Sequence, residues 1–283
     1  QNSYPELTKE TYGLLSGLAF TLPLSVCGIF AGLLSDKLNR RILMGIACVL
    51  WSTCTLLTGL IDSFPILFVC RFGLGICQSA FNPCAYSIIS DLFSPANRTI
   101  ANSIFGLGIY FGGALASLST LMITSLGWRD TYEYIGYLGI GLGVMGLLLI
   151  KEPTRGRFNV KTAAATTVVP SKGPLSKFLS AASELFIVPT CRYATIAGSF
   201  RFFGGYAIGF YMPSYFNNVY SDDKTKYSLL NSVVVSICGF TSSITGGLVC
   251  DYFEKKGFYM TKAWVCIFAG AAGIPMMMGC TLL

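Results

Sequence analysis

Eight stretches of the chain, at approximately 12–35, 42–61, 65–90, 99–126, 131–150, 192–219, 227–250 and 259–281, are long, apolar and nearly free of charge. A hydrocarbon core roughly 30 Å thick is crossed by about 20 helical residues, so each stretch has the length of a membrane span. Inside lipid every backbone N–H and C=O must be paired, which only helices and closed barrels achieve. The runs are too long for barrel strands and lack a period of two. An all-α polytopic membrane protein is therefore predicted. Composition agrees: 53% of residues are hydrophobic and only 12% charged, against about 25% charged in a soluble domain.

The charge pattern excludes one class and orients the chain. A formal charge of +7 suits nucleic acid only if it forms one surface, and here the cations sit in alternate loops. Those at 36–41, 91–98, 151–192 and 251–262 hold most lysines and arginines, while the opposite side keeps only Lys9, Arg129, Lys224 and Lys226. By the positive-inside rule the former loops face the cytoplasm or its topological equivalent. No nucleic-acid partner is expected. Localisation is integral and multi-pass, with plasma, endolysosomal and mitochondrial inner membranes all open.

There is no histidine, and the 11 cysteines are scattered without a CxxC pair. They read as small buried hydrophobes, not a metal site or disulfide framework. No cofactor is expected. With no nucleophile–base pair, metal cluster or phosphate loop, neither is an enzyme.

A short polar loop, Gly32-Leu33-Leu34-Ser35-Asp36-Lys37-Leu38-Asn39-Arg40-Arg41, returns as Gly247-Leu248-Val249-Cys250-Asp251-Tyr252-Phe253-Glu254-Lys255-Lys256. Gly32 matches Gly247, Asp36 matches Asp251, and Arg40/Arg41 match Lys255/Lys256. Each copy lies between two spans, so the chain is predicted to consist of two related halves, a mark of many secondary transporters. The first occupies 1–150 and the second 191–283. Between them, 151–190 reads as a cytoplasmic linker, in which Leu175, Phe178, Leu179, Ala182, Leu185 and Phe186 recur at helical spacing. That pattern fits an amphipathic helix at the membrane interface or one packed on the protein's own cytoplasmic face.

The repeated loop resembles the loop 2–3 signature of the major facilitator superfamily, Gly-x-x-x-Asp-x-x-x-Arg-Arg/Lys, and its weaker copy between helices 8 and 9. The resemblance implies a two-bundle fold of which these spans are helices 2–9 of twelve, so the chain is expected to be a fragment or a reduced relative. It also implies a cavity between the bundles, alternating access, and Asp36 and Arg40 helping to latch the cytoplasmic side. Asp36, Arg40, Arg41 and Asp251 are accordingly the expected gating residues. Over residues 14–157 the chain looks like the Spinster-like branch of lipid and organic-anion transporters. The stretches carrying that likeness are Asp36–Arg41, Arg71–Phe81 followed by Ile89-Ser90-Asp91-Leu92-Phe93, and Lys151-Glu152-Pro153-Thr154-Arg155-Gly156. The branch often has Glu seven residues after the helix-4 arginine; here that position is Gln78.

Two arginines lie inside spans, Arg71 in the third and Arg201 in the sixth. A charge in lipid is costly and should face a cavity or find a partner. Guanidinium groups grip carboxylate and phosphate oxygens in bidentate fashion, so the pair suits an anionic substrate held between the halves. The alternative for each is bonding to helix carbonyls or snorkelling to an interface. Gln78 is the expected polar neighbour. Tyr211, with Tyr206 and Tyr215, either lines an amphiphile site or packs in an interfacial belt. No Asp or Glu lies deep in a span, so these segments carry no obvious proton carrier. Gly108-x-x-x-Gly112 and Gly139-x-x-x-Gly143 are expected to allow close helix contact. The function so read is secondary transport of a small anionic or amphipathic organic solute, with a lysolipid or sphingolipid-like molecule included. Small-molecule or lipid substrate and membrane lipids are then the partners. The alternative is a transporter-derived structural subunit with partner subunits and no transport activity.

Overall fold

The computed structural model describes residues 11, 13–158, 183, 186–219, 224–258 and 260–282. A π-helical turn at Leu14–Leu18 leads into α1 (Ala19–Lys37). There follow α2 (Arg40–Leu60), α3 (Phe64–Ser79), α4 (Phe81–Leu92), α5 (Pro95–Leu126), α6 (Trp128–Leu149), α7 (Pro189–Val219), α8 (Lys224–Lys255) and α9 (Thr261–Leu282). Among the described residues no strand occurs. The linker pattern at 175–186 falls almost wholly outside the described residues.

Helix starts and stops follow local chemistry. Asn39 caps α2, its side-chain oxygen accepting from the Ile42 N–H at 3.1 Å. Pro65 and Pro95 stand in the first turns of α3 and α5, where a missing N–H costs nothing. The reversal between α5 and α6 is made by Gly127 alone, at φ 94°, a left-handed conformation that glycine adopts without strain.

The expected span at 65–90 is one crossing, Phe64–Leu92, with a break inside it. It holds two helices broken at Ala80, whose N–H reaches back to the Cys77 carbonyl at 3.4 Å. Pro83 is the physical reason: it has no N–H for the Ser79 carbonyl, and its ring crowds that carbonyl. Among the described residues six spans are long and apolar enough to cross a membrane: Leu14–Lys37, Arg40–Leu60, Phe64–Leu92, Ile100–Leu126, Trp128–Leu149 and Lys226–Cys250. Of the other two expected crossings, α7 mixes Arg192, Arg201 and several polar side chains into its 31 residues. The apolar part of α9, Ala263–Gly279, is shorter than a full crossing.

Among the described residues the most extensive packing is α2 against α6. A Cβ built on Gly136 would stand 2.7 Å from the Leu56 backbone, one on Gly139 2.4 Å from the Ser52 hydroxyl, and one on Gly143 2.8 Å from Val49. Gly139-x-x-x-Gly143 thus makes the close contact expected of it. Gly108 and Gly112 do not, having no heavy atom within 4 Å of a built Cβ. At 3.6 residues per turn they lie on the face of α5 opposite to Ser103, Tyr110, Gly113 and Ser117, and it is this second face that meets α8. α3 packs on α1 and α2. Small clusters of buried side chains fill the gaps: Met44, Cys84, Ala85 and Ile88; Leu15 and Leu67; Ala31, Ala47 and Ala80.

Candidate functional site

The ends of α1, α2, α4 and α6 converge at Arg40, the first residue of α2. Its side chain is 2% exposed, although arginine is among the residues least often buried. Burial on that scale demands partners, and Arg40 has four. Nη1 donates to Asp91 Oδ2 at 2.6 Å and to the Ser87 hydroxyl at 2.8 Å. Nε donates to Glu152 Oε1 at 2.8 Å, and Nη2 to the Pro153 carbonyl at 3.4 Å. Such charge-assisted bonds are about twice as strong as neutral ones.

Each partner is held in turn. Asp91 Oδ1 accepts the Gly156 N–H at 3.0 Å, and Glu152 Oε2 accepts the Arg41 N–H at 2.9 Å. Arg41 turns its guanidinium to the Leu147 carbonyl near the end of α6, with Nε at 2.7 Å. Arg155 caps α1, bonding the carbonyls of Ser35 (3.0 Å), Asp36 and Leu38. These carbonyls are among the last of their helix, where the partial negative charge of the dipole gathers. Arg98 does the same for α4, donating to the Ser90 carbonyl at 2.8 Å. The α1–α2 loop, the end of α4 and the exit from α6 are therefore one polar knot.

The expected gating residues fall into it unequally. Arg40 and Arg41 are at its centre. Asp36 contributes its backbone carbonyl, while the residue itself is exposed. Asp251 lies on α8 with its side chain outside the described residues. Sequence reasoning missed Ser87, Asp91, Glu152 and Arg155 as members. Two of the stretches carrying the Spinster-like resemblance contain Asp91, Glu152 and Arg155, but nothing in a linear sequence pairs positions 40, 91 and 152.

Arg71 is half-buried on α3, seven residues from the helix start. Its Nη2 donates to the Tyr132 hydroxyl at 3.0 Å, and the guanidinium lies 6.0 Å from that ring's centroid. Tyr132 was not foreseen. Gln78, two turns further along α3, is exposed. Arg201 and Tyr211 are both exposed on α7. Among the described residues α3 and α7 share no packed interface, so the two in-span arginines do not meet.

The arginines divide by partner. Arg40 has two carboxylates and Arg129 has Asp62. Among the described residues no carboxylate pairs with Arg71, which has only a neutral phenol.

Comparison with known proteins follows the same lines. The family described as Major Facilitator Superfamily matches residues 4–282. The chain belongs to the major facilitator superfamily. It is 26% identical over 268 residues to the "Probable L-galactonate transporter" of Escherichia coli strain K12, covering 92% of this chain and 58% of that protein. It is 30% identical over 148 residues to the "Sphingosine-1-phosphate transporter SPNS2" of Danio rerio, covering 51% of this chain and 29% of that one. Among solved structures it is similar to a bacterial homologue of the human lysosomal transporter Spinster in an inward-facing, unoccupied conformation. There the TM-score is 0.66 at 24% identity, covering 88% of this chain and 56% of that chain, a likeness of fold. The chain thus spans about half the length of the relatives it matches. The superfamily membership and Spinster-like resemblance read from the loops agree with these matches, and both relatives are named as transporters, not enzymes.

Proposed function

We propose that this chain forms part of a secondary transporter that moves a small organic anion by alternating access between two bundles, 1–150 and 191–283. The observation carrying the reading is Arg71: a guanidinium inside a membrane-spanning helix, half-buried, that donates to the Tyr132 hydroxyl and, among the described residues, pairs with no carboxylate. A cation kept in lipid without a carboxylate is expensive, and such residues mark substrate or ion pathways. The planar donor fork fits a carboxylate or phosphate. In this reading Gln78, Arg201 and Tyr211 are further substrate contacts, brought round Arg71 as the bundles close. Asp36, Arg40, Arg41 and Asp251 govern the cytoplasmic gate. The names of the two relatives, one for a sugar acid and one for a phosphorylated lipid, are consistent with an anionic head and leave the tail open.

The test is uptake of labelled aldonates and of a lysophospholipid into vesicles holding the natural full-length polypeptide. Arg71→Ala should abolish uptake of any anion that the parent carries, and Arg71→Lys, which keeps charge but loses the fork, should recover little of it. Uptake unchanged by Arg71→Ala would remove Arg71 from the substrate path. A parent that moves no anion would overturn the transport reading.

A further inference from the structure

Tyr132 does more than occupy one hydrogen of Arg71. Its hydroxyl accepts from Arg71 Nη2 at 3.0 Å, so the phenol's own proton is not used in that bond. Among the described residues that proton goes to no acceptor. The ring is also held independently of the guanidinium. Trp128, one turn earlier on α6, meets it edge-on, with ring centroids 6.2 Å apart and planes at 81°. Trp128, Phe64 and Phe68 all pack on the buried pair Leu15 and Leu67. Phe64, Leu67, Phe68 and Arg71 are spaced i, i+3, i+4, i+7 along α3 and so share one face. One apolar cluster thus sets the guanidinium from α3 and the phenol from α6 before any ligand arrives. Groups set in advance bind with a smaller ordering cost.

The spacing of the two groups selects among anions. Nη2 carries two hydrogens about 120° apart in the guanidinium plane. Tyr132 takes one of them. An anion oxygen accepting the other at about 2.9 Å stands roughly 5 Å from the phenol oxygen, too far for a direct bond. One further acceptor, bonded next to the charged head, falls in the gap and comes within about 2.7 Å of the phenol. A plain carboxylate has no such atom, because both of its oxygens lie on the fork. A 2-hydroxy acid supplies it in the hydroxyl beside the carboxylate. A phosphate monoester supplies it in its third oxygen.

We infer that Tyr132 is a specificity-determining residue of the Arg71 site: its free O–H donates to a third oxygen beside the charged head, so the site prefers 2-hydroxy carboxylates and phosphate monoesters to plain carboxylates. The inference rests on the proposed anion site at Arg71 and adds the chemical requirement and the residue that reads it. A preset donor left without its acceptor penalises the wrong ligand, which is how hydrogen-bonding sites reject analogues that lack one oxygen.

The experiment is equilibrium binding to the natural full-length polypeptide in detergent, with three probes: gluconate, 2-deoxygluconate and a lysophosphatidate. In the parent, gluconate should bind about tenfold more tightly than its 2-deoxy analogue, the upper range for one hydrogen bond between uncharged groups. Tyr132→Phe should bring gluconate down to the level of the analogue and leave the analogue within about twofold of its parent value. A lysophosphatidate that binds while neither aldonate does, and that weakens about tenfold in Tyr132→Phe, would also support the inference and identify phosphate as the source of the third oxygen. Equal weakening of gluconate and 2-deoxygluconate by Tyr132→Phe would mean a merely structural role and overturn it. So would a Tyr132→Phe protein that keeps the parent's preference. The proposed function fails separately. A protein that transports nothing, yet discriminates through Tyr132, refutes transport and leaves this inference standing. Uptake abolished by Arg71→Ala, with ligand preference untouched by Tyr132→Phe, refutes this inference alone. A parent that binds none of the three probes overturns both.

Discussion

Replacing Arg40 by alanine removes the centre of the polar knot and leaves Asp91 and Glu152 facing each other's charge. Their side chains are 12% and 22% exposed, so neither has full access to water. Breaking a buried ion pair from one side costs about 3–5 kcal/mol, most of it the penalty of the charge left behind. Partial exposure of both carboxylates favours the lower end, about 3 kcal/mol. Large domains lose about 2–4 °C per kcal/mol, so unfolding should come about 6–12 °C earlier. The assay is built in: Cys84, one turn from Ser87, is 0% exposed. In a background whose ten other cysteines are replaced by serine, a thiol-reactive fluorophore added during a thermal ramp in detergent therefore reads the opening of this region. The control is Arg40→Met with Asp91→Leu and Glu152→Leu, which removes all three charges together and should recover most of the loss. A shift within error for Arg40→Ala, or a triple variant no better than the single one, would show that the knot is incidental to stability.

Two further outcomes follow from packing and charge. Gly136→Ala places a methyl against the Leu56 backbone and should destabilise by about 1–3 kcal/mol, whereas Gly112→Ala, which meets no atom within 4 Å, should change the same thermal ramp within about 0.5 kcal/mol; equal effects would refute the assigned helix faces. Outside the membrane, Asp62 accepts a bond from Arg129, which holds its carboxyl below the ordinary value of 3.8. A lowered carboxylate value means that the pairing contributes at all pH above the unfolded value and is lost as pH falls through the lower, folded one. The difference in melting temperature between the parent and Asp62→Asn should thus be small but constant from pH 7 to about pH 5, and should close only below 3.8; closure nearer neutrality would rule the pairing out.

Much of the architecture was legible without coordinates because hydrocarbon is an unforgiving solvent. Span length and charge asymmetry are properties of the chain itself, and lipid admits few alternatives to a helix. The break at Ala80 was also written locally, in Pro83, but periodicity over 65–90 masked it. Gly108-x-x-x-Gly112 and Gly139-x-x-x-Gly143 have the same spacing and opposite surroundings, because spacing sets which residues share a face and says nothing about what the face meets.

The knot shows the same division. Arg40 and Arg41 were singled out from a repeated motif, and the sequence alone established that a cation stands at each copy of that loop. That Arg40 is buried against Asp91 and Glu152, while Asp36 stays exposed, was decided by where α4 and α6 end in space. The sequence likewise determined that Arg71 and Arg201 are charges set among apolar residues. Only the tertiary structure decided that Arg71 reaches Tyr132 and that Asn231 reaches Ser117. A lipid-facing segment declares itself through its own composition, whereas a side chain's partner depends on distances between helices that no single stretch contains.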